Sequence, residues 1–173
     1  LMALRLKKVE DQPATVLLTQ GLHPEYVTVL KTYLRGFPNI QMVMAPLDPS
    51  TGQTQWKKAS LTQPPVAVVG QYPHFLGVLD EISALQTFAK QQNALSVVVN
   101  NEPYVFGVQE PPGAFAVDMV AAELQSFGNP IGFGGPHIGA VLTKKEYIRQ
   151  LPGRLVGKTR TQDGTRPAYT LTL

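Results

Sequence analysis

Cysteine is absent from this chain. A disulfide framework, a thiolate metal site and a cysteine nucleophile are therefore excluded. Long apolar runs are missing too: none approaches the roughly 20 residues that cross a bilayer as a helix. The first residues, Leu1-Met-Ala-Leu-Arg-Leu-Lys-Lys8, contain no signal-peptide core or cleavage site. There is no Gly-x-Ser-x-Gly elbow and no Gly-x-x-x-x-Gly-Lys-Ser/Thr loop, so hydrolase triads and phosphate-loop chemistry find no support. The three histidines, His23, His74 and His137, lack a second histidine or a carboxylate at metal-ligand spacing. His23 precedes a helix and His74 follows a proline, and both read as surface or capping residues.

What is present fits an ordinary globular domain. Of the 173 residues 43% are hydrophobic and 16% charged, fractions that support a sizeable core and do not suit a disordered chain. The net charge is +3, and the basic residues fall in scattered pairs such as Lys7-Lys8, Lys57-Lys58 and Lys144-Lys145. Without interleaved aromatics this pattern is solvated surface and not a nucleic-acid site. The chain opens inside an amphipathic pattern, which reads as the tail of a helix. It stops inside an apolar alternation, so the expectation is a fragment of a longer polypeptide.

Short apolar runs at Thr15–Thr19, Ile40–Ala45, Val66–Val69, Leu95–Val99, Val117–Ala121 and Ile138–Leu142 read as strands. The continuous character of Val66–Val69 and Leu95–Val99 suits a parallel sheet covered on both faces. A helix opens at His23-Pro24-Glu25 with Tyr26, Leu30, Tyr33 and Leu34 on one face, and Gly36 and Pro38 end it. A second helix spans Leu79–Gln92, with Asp80 and Glu81 in its first turn and Ile82, Leu85, Phe88 and Ala89 toward the core. Residues 46–64 are polar and read as a surface connection. Lys144–Leu151 reads as a short helix, and Asp163-Gly164 as the turn of a hairpin. The order implies an α/β fold with a mostly parallel sheet flanked by helices, in one domain over 1–173.

Three segments could carry chemistry. Gly132-Phe-Gly-Gly-Pro-His-Ile-Gly139 could cradle a phosphate or mark a bend of close packing, and taken alone the packing reading is stronger. Asn101-Glu102-Pro103 follows a strand end, where ligands gather in open α/β sheets. Glu102 could pair with a cationic ring nitrogen or simply belong to a polar loop. Leu151-Pro-Gly-Arg-Leu155, with Lys158 and Arg160, could hold an anion, although an ordinary basic loop fits better.

Together the segments are more specific. Gly21-Leu-His-Pro-Glu-Tyr26, Pro112-Gly-Ala-Phe115, Gln125-Ser-Phe-Gly128, Gly132-Phe-Gly-Gly-Pro-His137 and Tyr147-Ile-Arg-Gln-Leu-Pro-Gly-Arg-Leu-Val-Gly157 occur in this order. Over nearly the whole chain this resembles glycine dehydrogenase (decarboxylating), the P-protein of the glycine cleavage system. The likeness is to its non-catalytic half, and its wording is nearer the separate subunit 1 than the N-terminal half of a fused chain. The resemblance implies part of the large domain of a fold-type I pyridoxal-phosphate-dependent transferase, without its upstream portion or C-terminal small domain. It implies a reaction in which glycine is decarboxylated with pyridoxal phosphate and its aminomethyl group passes to the lipoyl arm of the H-protein. Catalytic halves of the family use a lysine, joined to the cofactor as a Schiff base, ahead of a glycine-rich stretch. Counting back from that stretch, the position holds Gln125, and no lysine lies between Lys90 and Lys144. An amide nitrogen is not the amine nucleophile that such attachment requires. The resemblance therefore implies no catalytic residue in this half and cofactor held by a partner, catalytic half or subunit 2. Gly134 and Gly135, nine and ten residues past Gln125, would lie toward the partner's cofactor. Glu102 stands where an aspartate is usual. The compartment implied is the bacterial cytoplasm, or the mitochondrial matrix in a eukaryote. Two rivals stand beside this: a truncated remnant without activity, and a small nucleotide- or anion-binding α/β module that uses the glycine-rich loop.

Overall fold

Strands with no polar face need cover on both sides, and the chain supplies it. In a computed structural model, which describes residues 1–9 and 11–172, β1 (Ala14–Thr19) is buried at every position, as is β3 (Pro65–Gln71). Alternate side chains enter two different cores. Leu17, Val68 and Val98 lie in one beneath α3 (Ile82–Gln91). Val16, Leu18, Ala67 and Val69 lie in the other, beneath α1 (Met2–Lys7) and α2 (Pro24–Leu34). Each such aliphatic side chain contributes about 1.5–3 kcal/mol of burial.

These strands join β2 (Ile40–Ala45), β4 (Leu95–Asn100), β5 (Met119–Glu123) and β6 (Gly139–Thr143) in one six-stranded sheet of order β2-β1-β3-β4-β5-β6. Every neighbouring pair is parallel except β5 and β6, which are antiparallel. The strand order reverses between β1 and β3, so their carboxyl ends flank a topological switch point, where open α/β sheets bind ligands. β7 (Leu155–Arg160) and β8 (Pro167–Thr172) form a separate antiparallel hairpin, with Asp163 and Gly164 in its turn as the sequence indicates.

Several expectations shift. The helix expected from Leu79 begins at Ile82, with Glu81 as its cap, so neither Asp80 nor Glu81 occupies its first turn. The Asp80 carboxylate is instead taken by the Thr54 amide and hydroxyl, which ties the helix entrance to the 46–58 segment. That segment is more than a surface connection: its 3-10 turn Trp56–Lys58 drops Trp56 into the core, 5% exposed and stacked on Phe88 at 6.4 Å between centroids. The strand expected at Val117–Ala121 pairs from Met119 to Glu123, because Asp118 turns inward to Ser96. Lys145–Gln150 is a 3-10 helix and not an α-helix. On α2, Tyr26, Leu30 and Leu34 face the core as read, but Tyr33 is exposed.

Candidate functional site

The carboxyl edge of the sheet gathers most residues that the sequence singles out. At the switch point, β1 runs through Gly21 into His23, which caps α2 by accepting the Glu25 amide at Nδ1, 3.2 Å. The His23 amide donates to Gln71 Oε1 at the end of β3, 2.8 Å. Its ring meets Phe75 edge-on at 4.7 Å and lies 4.9 Å from Tyr26. His23 is thus a capping residue, as read. His74 is not on the surface: it is 2% exposed, Nε2 lies 3.1 Å from the Gly52 carbonyl, and Nδ1 accepts the Leu76 amide. Gly21 is what makes room for it, because a Cβ there would stand 2.7 Å from the ring.

At the end of β4, the buried Asn100 amide donates to the Tyr72 and Glu102 carbonyls. Glu102 caps the 3-10 helix Pro103–Gly107 through the Tyr104 amide, and the same oxygen accepts the Ser126 hydroxyl at 3.1 Å. Tyr104 in turn donates to the Ser126 carbonyl at 2.7 Å. Glu102 therefore braces the turn that bears Gln125.

Gln125 opens the 3-10 turn Gln125–Phe127 just past the end of β5. Glu123, which sequence reasoning did not single out, organises this corner. Its Oε1 accepts the amides of Gln125 (2.9 Å) and Ile138 (3.1 Å), and its Oε2 lies 3.9 Å from His137 Nδ1. The Gln125 amide above all, with the Ile138 amide, the nearby His137 and the Leu124 amide, holds its carboxyl below the usual range against the opposing effect of desolvation. The one sequence signal for this role is a carboxylate at a strand end ahead of a turn.

The glycine-rich segment leaves from this clasp and returns to it, since the Leu124 amide donates to the Ile138 carbonyl at 2.8 Å. Ile131 and Phe133 are fully exposed at its tip. Gly134 has φ +101°, which a side chain resists, and open space where a Cβ would stand. A Cβ on Gly132 would stand 2.7 Å from the Gly135 carbonyl oxygen. The bend is therefore backbone turning on itself, with Gly134 exposed and Gly135 partly buried. An anion cradle is opposed here by Glu123, a carboxylate that already takes the Ile138 amide.

Gln125 offers an amide. The next lysine along the chain, Lys144, is held by Asp118 at the opposite end of β5, about 16 Å away at strand rise. Burial pushes the Asp118 carboxyl up, but Lys144 and the two Ser96 donors outweigh it and hold it below its usual value. A cavity of about 10 Å³ beside Tyr72 and Leu85 has room for about one water. A groove of about 470 Å³ along α3, floored by Trp56 and Phe88, includes neither Gln125 nor the glycines.

The six-stranded sheet, parallel but for its sixth strand and flanked by helices, has the α/β fold of the fold-type I pyridoxal-phosphate-dependent large domain. A cystathionine gamma synthase from Xanthomonas oryzae pv. oryzae shares that fold at TM-score 0.63 and 20% identity, over 85% of this chain and 36% of that one. The family follows from closer relatives. The model of the glycine cleavage system P-protein matches residues 1–173. A probable glycine dehydrogenase (decarboxylating) subunit 1 from Dictyoglomus turgidum is 42% identical over 154 residues, 87% of this chain and 33% of that protein. A crystal structure of glycine decarboxylase (P-protein) of the glycine cleavage system, in inhibitor-bound form, matches at TM-score 0.85 and 40% identity, over 99% of this chain and 37% of that one. The chain belongs to the glycine cleavage system P-protein family, and it spans about a third of the length of these relatives. Among the described residues no helix is long and apolar enough to cross a membrane.

Proposed function

We propose that this chain is part of the non-catalytic half of glycine dehydrogenase (decarboxylating), which shapes the active site of a catalytic partner and does not itself hold the cofactor. The observation that carries the reading is Gln125 in the turn after β5, with the neighbouring lysine paired off at the far end of that strand. Pyridoxal phosphate on the partner would supply the electron sink for glycine decarboxylation, and the lipoyl H-protein would accept the aminomethyl group. This half contributes position. Glu123 fixes both ends of the glycine-rich excursion, Glu102 braces its foot, and Gly134 and Gly135 turn bare backbone outward, where it can approach the partner's cofactor. The bacterial relatives named subunit 1 support a separate partner subunit and a cytoplasmic setting.

Gly134→Val tests the reading. The substitution meets no neighbour, so the core is untouched, but it forces the backbone away from φ +101°, a conformation that costs a branched residue about 1–2 kcal/mol. The assembled enzyme should lose pyridoxal phosphate on dialysis faster than the parent while its melting temperature stays within about 3 °C. Unchanged cofactor retention would refute the placement of this loop.

A further inference from the structure

The two ring nitrogens of His74 have fixed roles. A carbonyl only accepts and a backbone amide only donates. Nε2, 3.1 Å from the Gly52 carbonyl, therefore carries a hydrogen, and Nδ1, which takes the Leu76 amide at 3.1 Å, carries none. The ring is buried, so solvent is not at hand to replace either partner. Only the neutral imidazole with its hydrogen on Nε2 satisfies both. A second proton would go to Nδ1, where it sets N–H against the Leu76 N–H and places a charge in the interior. Among the described residues no carboxylate is paired with this ring.

The ring joins two loops of the carboxyl edge. Residues 73–79 fold into a turn in which the His74 amide donates to the Val78 carbonyl and the Gly77 amide to the His74 carbonyl. The Phe75 amide ties this turn to the Gly21 carbonyl at the end of β1. Opposite, Gly52 gives its carbonyl to the ring and leaves room for Val78, whose Cγ2 would stand 2.9 Å from a Cβ there. Gln53 extends the seam to the Leu79 carbonyl and the Glu81 amide, and Thr54 extends it to Asp80. The elements packed against the turn carry five other titratable groups. They are His23 and Glu25 at the entrance of α2, Asp48 in the 48–52 turn, and Asp80 and Glu81 ahead of α3. Asp48 is occupied by Ser50, Thr51 and Gln55, and Asp80 by Thr54. Of these residue types only imidazole ordinarily changes charge between pH 5 and 8, which singles out His74 and His23.

We propose that His74 is a proton-operated latch on the carboxyl edge of the sheet. Uptake of a proton drives its ring out of the slot beside Gly21, releases residues 73–79 from the end of β1, and removes the Phe75 ring that braces His23 at 4.7 Å. The edge is then firm at alkaline pH and open in mild acid. This inference does not depend on which half of the enzyme holds the cofactor, because every contact it uses lies within this chain.

The test is hydrogen exchange of the complete polypeptide that contains this chain, read by mass spectrometry as protection relative to the unstructured rate at each pH. Between pH 8 and pH 5.5 the protection of residues 73–79 should fall at least tenfold, while that of β4 changes less than twofold. His74→Gln keeps an acceptor for the Leu76 amide and a donor for the Gly52 carbonyl but takes up no proton. In that variant the 73–79 protection should stay within twofold across the same range. His23→Asn preserves the cap of α2 and should respond as the parent does. The latch is overturned by parental 73–79 protection within twofold at the two pH values, by an equal loss in β4, by His74→Gln responding like the parent, or by His23→Asn abolishing the response. If His74→Gln does not fold, the parent and His23→Asn still decide the matter.

Discussion

Gly21→Ala puts the switch-point geometry to a quantitative test. The added methyl would sit 2.7–2.9 Å from three atoms of the His74 side chain, where real contacts do not form, so the ring or the strand end must move. The ring is poorly placed to yield. It is 2% exposed and held at both nitrogens, by the Gly52 carbonyl and the Leu76 amide. Overpacking of this kind costs about 1–3 kcal/mol. Expelling the ring adds about 1 kcal/mol for each of its two hydrogen bonds, so about 3–5 kcal/mol is expected in total. The Phe75 amide donates to the Gly21 carbonyl at 2.7 Å, so the damage should spread to the Phe75–His23 contact. Hydrogen exchange of the β1 and β3 amides against urea in the complete subunit would read it, as a midpoint lowered by about 1–2 M. His74→Ala removes the obstacle. On that background Gly21→Ala should cost less than about 0.5 kcal/mol, a coupling above about 1 kcal/mol in the double-mutant cycle. Additive effects, or a single Gly21→Ala within about 0.5 kcal/mol of the parent, would refute the steric reasoning.

Two further outcomes follow from buried groups. The Asp118 carboxyl is depressed below 3.8 in the fold, so its contribution is full above the unfolded value and is lost as pH falls through the folded one. Asp118→Asn should lower stability at pH 7 by about 1–3 kcal/mol, after allowing for solvent around Lys144. It should also make the stability profile flatter below about pH 4 than the parent's, which urea titrations between pH 2 and 7 would show. Trp56→Ala removes a ring that is stacked on Phe88 in the α3 core. It should cost about 3–5 kcal/mol in the same exchange experiment, and a loss under about 1 kcal/mol would return 46–64 to the status of an ordinary surface connection.

The central strands and the core face of α3 were legible in the sequence because their buried residues lie in unbroken runs or at helical spacing. Ile82, Leu85, Phe88 and Ala89 all face inward as the spacing indicates. What composition concealed was set by contacts distant along the chain. Trp56 lies in a polar stretch, and what buries it is a core cluster distant along the chain, Phe88 over thirty residues later included. The entrance of α3 is displaced because Asp80 answers Thr54 rather than the helix. His74 reads as a polar residue after a proline, yet Gly21 opens a slot for its ring from the neighbouring strand. At the candidate site the family motifs located Gln125 and the glycines, but not Glu123. That carboxylate joins Gln125 to Ile138 across the twelve intervening residues, a closure that no local pattern encodes.

Borohydride reduction of the assembled enzyme with pyridoxal phosphate, followed by peptide mapping, speaks most directly to the division of labour between the halves. The pyridoxyl group should be found on one lysine of the catalytic partner, with the peptide bearing Gln125 unmodified. A stoichiometric adduct on a defined side chain of the present chain would contradict the account.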